Sequence, residues 1–166
     1  MTQKEIALQF DAQDKPVEAA NAYEKAIKEP DSELAIYLNL AVLYFSCQDG
    51  GYAAHHCLSA EFLDYSWKRA NQVLDEAESK FGQNDEIDFW RRYFRWRVLF
   101  EDEAIMESER FVHSDSLIPY FYLVLTNNKE EYLLKAKKLF EQVAEGKTAK
   151  DRWIRSILKS NVLKIA

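Results

Sequence analysis

Apolar and polar positions along the chain follow a helical period, and two stretches near its start share one register. Ile6, Ala7, Phe10, Ala19, Tyr23 and Ala26 recur thirty-four positions later as Leu40, Ala41, Tyr44, Ala53, Cys57 and Ala60. Small stands opposite small and large opposite large, with Tyr23 to Cys57 the loosest match. A repeat of this length marks a stacked two-helix unit that cannot bury its apolar face without neighbours.

Cap and breaker signals divide the pattern into elements. Thr2 with Glu5 reads as a capping box, and Asp14 precedes Pro16 in a first turn where proline loses no hydrogen bond. Pro30-Asp31-Ser32 ends one helix and caps another, and Gly50-Gly51 breaks the third from the fourth. Ser66 starts a helix that Gly82 closes, with Asn84 or Asp85 capping the next. Later starts fall at Ser114 to Ser116 before Pro119, at Asn128 with Glu131, and at Thr148 with Asp151. The elements are about ten helices, near 2–13, 15–29, 33–47, 51–64, 66–81, 85–101, 103–112, 116–127, 129–145 and 148–164. No alternating strand pattern accompanies them, so the expected class is all-α, with short linkers and antiparallel neighbours.

The repeated positions resemble tetratricopeptide repeats, a thirty-four-residue helix–turn–helix family. Tyr37, Leu40, Ala41 and Tyr44 match its first-helix positions and Ala53, Cys57 and Ala60 its second. Repeat one departs at Gln3, and its closing proline sits early, at Pro30. A third copy runs through Tyr120, Leu123, Val124, Ala136, Phe140 and Val143, with Asn127 in place of an aromatic. Between them, Ala70, Leu74 and Ala77 keep the second-helix spacing without a clean first helix. The resemblance implies a single domain over 1–166: repeat one at 1–31, repeat two at 32–65, a divergent helical insert at 66–113, a repeat-like helix pair at 114–147 and a capping helix at 148–166. In that final helix Trp153, Ile157 and Leu158 lie opposite Arg152, Arg155 and Lys159.

The same resemblance implies a right-handed superhelix whose concave face binds ligands. By the family's spacing that face is lined by Lys4, Leu8 and Asp11, by Leu38, Val42 and Phe45, and by Phe121, Leu125 and Asn128. Leu38, Val42 and Phe45 add an apolar stripe to a helix already apolar on its other side, which means burial on two sides. A partner segment, another helix of this chain or a second copy of it could each cover the stripe.

Composition narrows the reading further. Gly and Pro total seven, hydrophobic residues make up 48% and charged residues 30%, which favours helices over turn-rich sheets. The net charge of −6 disfavours nucleic acid and anionic lipid. No secretion signal or membrane-length apolar run stands out, so the expected address is cytoplasmic and no membrane is expected as a partner. In that setting Cys47 and Cys57 read as small buried side chains rather than a disulfide.

Residues 87–100, IDFWRRYFRWRVLF, are the densest local feature. Phe89, Tyr93, Trp96 and Phe100 form one stripe and Ile87, Trp90, Phe94 and Val98 another, with Arg97 between them and Arg91, Arg92 and Arg95 on the opposite arc. One reading is a core helix whose arginines pair with Glu101, Asp102, Glu103 and Glu107. The other is a cationic–aromatic surface for an acidic or aromatic partner segment. His55, His56 and Cys57 point about 100° apart on a helix and cannot converge on a metal ion. There is no glycine-rich phosphate loop, nucleophile elbow or zinc-protease motif, so neither cofactor nor catalysis is expected. The expected function is a non-catalytic protein-interaction module, a chaperone, adaptor or inhibitor that captures a peptide or helix of another protein. The alternatives are a self-associating homodimeric subunit and a helical enzyme without a recognisable motif.

Overall fold

The structure, a computed structural model, describes residues 1–102 and 107–161. Among them the regular elements are all helical: α1 (Gln3–Ala12), α2 (Pro16–Ala26), α3 (Leu34–Ser46), α4 (Gly50–His55), α5 (Ala60–Phe81), α6 (Asp85–Leu99), a 3-10 helix (Glu107–His113), α7 (Tyr120–Thr126), α8 (Glu130–Val143) and α9 (Ala149–Asn161). The all-α expectation holds, with nine α-helices among the described residues rather than about ten. The helix expected over 103–112 is described only from Glu107, as the 3-10 helix; residues 103–106, and 162–164 of the expected last helix, lie outside the described residues.

Contacts divide the chain into two compact units, Met1–Gly82 with Lys147–Lys150, and Gln83–Gly146 with the chain from Asp151 onward. The first boundary falls inside the stretch expected as a divergent insert.

In unit 1 the capping box forms as expected. Thr2 Oγ1 accepts from the Glu5 amide at 3.2 Å, and the Thr2 amide donates to Glu5 Oε2 at 2.7 Å, which holds the Glu5 carboxyl below its usual range. Pro16 takes the first position of α2, which packs on α1 and buries Ala19, Ala20, Tyr23 and Ala26. α3 is buried continuously from Ile36 to Ser46 and packs most extensively against α5.

Here the second copy of the repeat departs from expectation. The helix expected over 51–64 is split. α4 ends at His55, and Cys57 adopts a left-handed φ of 51°. A new helix then begins after Ser59, whose Oγ accepts from the Phe62 amide at 3.1 Å. Cys57 and Ala60 are therefore exposed rather than core. The second-helix role passes to α5, where Ala70, Leu74 and Ala77 are fully buried. Ser66 does not start a helix: it lies inside α5, accepting from Gln48 Nε2 at 2.7 Å and donating to the Leu63 carbonyl at 2.9 Å. The joint expected at Gly50-Gly51 does separate α3 from α4, which Gly50 and Gly51 open under an Asp49 cap, whereas α3 starts from Glu33 without a side-chain cap. Gly82, at φ 80°, closes α5, and Asn84 caps α6, both as expected.

A charged clamp ties α2, α3 and α5 together. Arg69 Nε and Nη2 donate to the two carboxylate oxygens of Glu24 at 2.7 and 2.9 Å. Nη1 and Nη2 also reach Glu76, at 2.5 and 3.1 Å. Tyr44 Oη donates to Glu24 Oε1 at 3.0 Å, and burial, with Glu24 beside it, raises the Tyr44 pKa well above its ordinary value. Arg69 and Glu24 side chains are only 12% and 17% exposed, so removing one charge strands the other. Arg69→Met is expected to lower stability by about 3 kcal/mol, with part of the loss recovered by adding Glu24→Gln. Urea unfolding of the single and double variants checks both.

Candidate functional site

The expected lining residues are divided between the units. In unit 1, Lys4 is half-buried and donates to Glu33 Oε1 at 2.7 Å, and Leu8 is half-buried. Asp11 is not a surface group. It is fully withdrawn from solvent, accepting from Tyr23 Oη and from the Ala149 amide, each at 2.8 Å. Leu38, Val42 and Phe45 are buried as well, so their stripe is core rather than an open groove. The cause is the apolar surround of α3, a helix that can exist only when covered on every side.

In unit 2, Phe121 is also core, its ring 5.5 Å from Phe89 and Trp90 and 5.1 Å from Tyr93. Leu125 and Asn128, on the same side of the sequence, are exposed. The core reading of α6 holds for Ile87, Phe89, Trp90, Tyr93 and Phe94, all buried. Its arginines find carboxylates: Arg92 Nε donates to Asp88 Oδ1 at 3.1 Å, Arg110 joins the same Asp88, and Arg95 pairs with Glu101 at 2.9 Å. Glu103 and the Glu107 side chain lie outside the described residues. Arg97 is exposed, so it does not have to be neutralised within an apolar arc. Trp153 Nε1 donates to Tyr93 Oη at 3.1 Å, joining α9 to the cluster. Arg155 Nη1 closes the end of α8 by donating to the carbonyls of Val143, Ala144 and Gly146 at 2.6, 3.1 and 2.9 Å.

Two features lie outside the expected lining. At the end of α6, Phe100 takes a left-handed φ of 54° and is 82% exposed, and Leu99 beside it is 50% exposed. A cleft of about 460 Å³ lies there, lined by Arg95, Phe100, Glu101 and Asp102. The stripe pattern placed Phe100 with the core rings because it counted one residue past the helix end. The second feature, in unit 1, joins Asp14 to α4. Tyr52 Oη donates to Asp14 Oδ1 at 2.9 Å, and His56 Nε2 stands 3.2 Å from Oδ2, close enough for an ion pair when protonated but misaligned for a hydrogen bond. Among the described residues no group of three His, Cys, Asp or Glu side chains could hold a metal ion. None of their helices is long and apolar enough to cross a membrane.

No protein-family model, curated protein or solved structure matches the chain.

Burial of the aromatic cluster makes unit 2 sensitive to base. Tyr93 Oη is pushed up to about 12 by burial, against the opposing pull of the Trp153 N–H and the Arg97 charge. Above the ordinary tyrosine value near 10, the unfolded chain gives up this proton while the folded one keeps it, so stability falls as pH rises. Between about pH 10 and 12 the Tyr93 contribution to the loss is roughly 2–3 kcal/mol. Denaturation followed by tryptophan fluorescence across that range should show the decline, and Tyr93→Phe should make it shallower, the remainder coming from the other buried tyrosines, Tyr37, Tyr44 and Tyr122.

Proposed function

We propose that the chain is a non-catalytic protein-binding module and that a segment of another protein docks at the end of α6. The observation that carries this reading is the adjacent pair Leu99 and Phe100, turned to solvent at the end of a helix whose preceding rings are buried. Single exposed apolar side chains are ordinary, but a neighbouring pair beside a cleft is the composition of an anchor. Arg95, Glu101 and Asp102 supply a polar rim that orients a partner, and exposed Arg97 adds a cation on the last turn of α6. The capture needs no covalent step and no cofactor, and suits a chaperone, adaptor or inhibitor of cytoplasmic address.

The tetratricopeptide likeness belongs to the same proposal. It is supported by the buried small–large–small positions Ala19, Tyr23 and Ala26 on α2 and Ala70, Leu74 and Ala77 on α5. The right-handed stacking that the family uses is part of that reading.

The double variant Leu99→Ser, Phe100→Ser removes the anchor from a solvent-facing position, so stability should change by less than about 0.5 kcal/mol. Affinity capture from the native source, quantified by mass spectrometry, should lose its partner by about 30-fold or more. Unchanged capture by a folded double variant overturns the reading. A concentration-dependent dimer in sedimentation that the double variant abolishes would identify the partner as a second copy of the chain.

A further inference from the structure

The cleft at the end of α6 carries a net sign. Its described walls are Arg95, Phe100, Glu101 and Asp102. Arg95 is already neutralised within them, its Nε and Nη2 each 2.9 Å from Glu101 Oε2. Asp102 is exposed and has no cation partner among the described residues. The carbonyl end of α6, a helix of 15 residues, adds partial negative charge at the same place. Arg97 does not line the cleft. Two residues beyond Arg95, it lies about 200° round the helix axis. Its charge acts there on the Tyr93 hydroxyl.

The apolar part of the site is held in place by the backbone. Phe100 sits at φ 54° and ψ 31°, the left-handed position that glycine usually fills after a helix. A phenylalanine there bears strain that glycine would not, and its ring faces water, so no core packing offsets the strain. Beyond the cleft, the net charge of −6 draws cationic segments toward the molecule and repels acidic ones.

We infer that the segment docking at the end of α6 is a basic amphipathic one: its apolar side chains cover Leu99 and Phe100, and an adjacent lysine or arginine meets Asp102. The inference rests on the docking reading above and names the chemistry of the occupant. An acidic segment would set its carboxylates against Asp102 and the carbonyl end of α6, and Arg95 could meet it only by leaving Glu101.

Two synthetic amphipathic peptides test this. They share one pattern of leucines at helical spacing and differ only at the polar positions, all lysine in one and all glutamate in the other. In fluorescence anisotropy the chain should bind the lysine peptide at least about tenfold more tightly than the glutamate peptide. Asp102→Asn should weaken the lysine peptide about three- to fivefold. Glu18→Gln makes the same change of net charge at an exposed position on α2 and should leave binding as it is. Phe100→Gly, which suits the left-handed backbone, should weaken the lysine peptide about tenfold or more. If the chain does not distinguish the two peptides, or if Asp102→Asn acts no more strongly than Glu18→Gln, the basic occupant is overturned while the docking site stands on its own capture test. Lysine-peptide binding that ignores Phe100→Gly overturns the site itself.

Discussion

Eleven consecutive residues of α3, Ile36 to Ser46, are withdrawn from water, and unit 1 is arranged around that burial. A helix apolar on every side cannot stand at a surface, so it recruits cover from the helices before and after it. α2 and α5 both pack on it, and both bury small residues that let helix axes approach: Ala19, Ala22 and Ala26 on α2, Ala70 and Ala77 on α5. Each fully buried Leu, Val or Phe contributes about 1.5–3 kcal/mol, so the cover is worth far more than any one polar contact. The polar atoms that come with it are satisfied locally: Tyr37 Oη donates to the Ile27 carbonyl at 2.7 Å and Ser46 Oγ to the Val42 carbonyl at 2.8 Å. The Arg69 clamp then links α2, α3 and α5 through Glu24 and Tyr44.

This constraint explains which parts of the molecule were legible from sequence. The helical period, the Thr2–Glu5 box, Pro16, Gly82 and Asn84 each act through one turn of backbone, and each held. So did the core positions named on α2, α3 and α7, and Ala136 and Val143 on α8, while Phe140 is only half-buried. The thirty-four-residue interval misled at Cys57 and Ala60. It matched residue size without detecting that Ser59 is a stronger start than Ser66, or that Cys57 leaves the helical region. The lining residues were least legible. Their assignment assumed an open face on α3, but whether such a face stays open is decided by a helix more than twenty residues further along the chain. Asp11 shows the same limit: a carboxylate on a first helix reads as solvent-facing until its partner, the Ala149 amide, is known.

Unit 2 solves its burial problem differently, with rings in place of alanines. Phe89, Trp90, Tyr93 and Phe121 contact one another edge-on or tilted, except Phe89 and Tyr93, which stack, and they fill volume that aliphatic side chains would pack less directionally. The arginines interleaved with them along α6 are turned outward to Asp88 and Glu101. A sequence that looks like a cationic–aromatic surface is thereby sorted by helical geometry into a dry core and a paired rim. What is left unsorted is the last step of the helix, where Leu99 and Phe100 pass beyond the core they resemble.

The bond between Asp11 and the Ala149 amide joins positions 138 residues apart. During synthesis the amide partner leaves the ribosome 138 residues after the carboxylate. Until then Asp11 lacks that donor. The helices α1 and α2 can pair early, but the full set of bonds to this buried carboxylate waits for residues far along the chain. Completion of unit 1 therefore follows the synthesis of residues 83–146, which belong to unit 2.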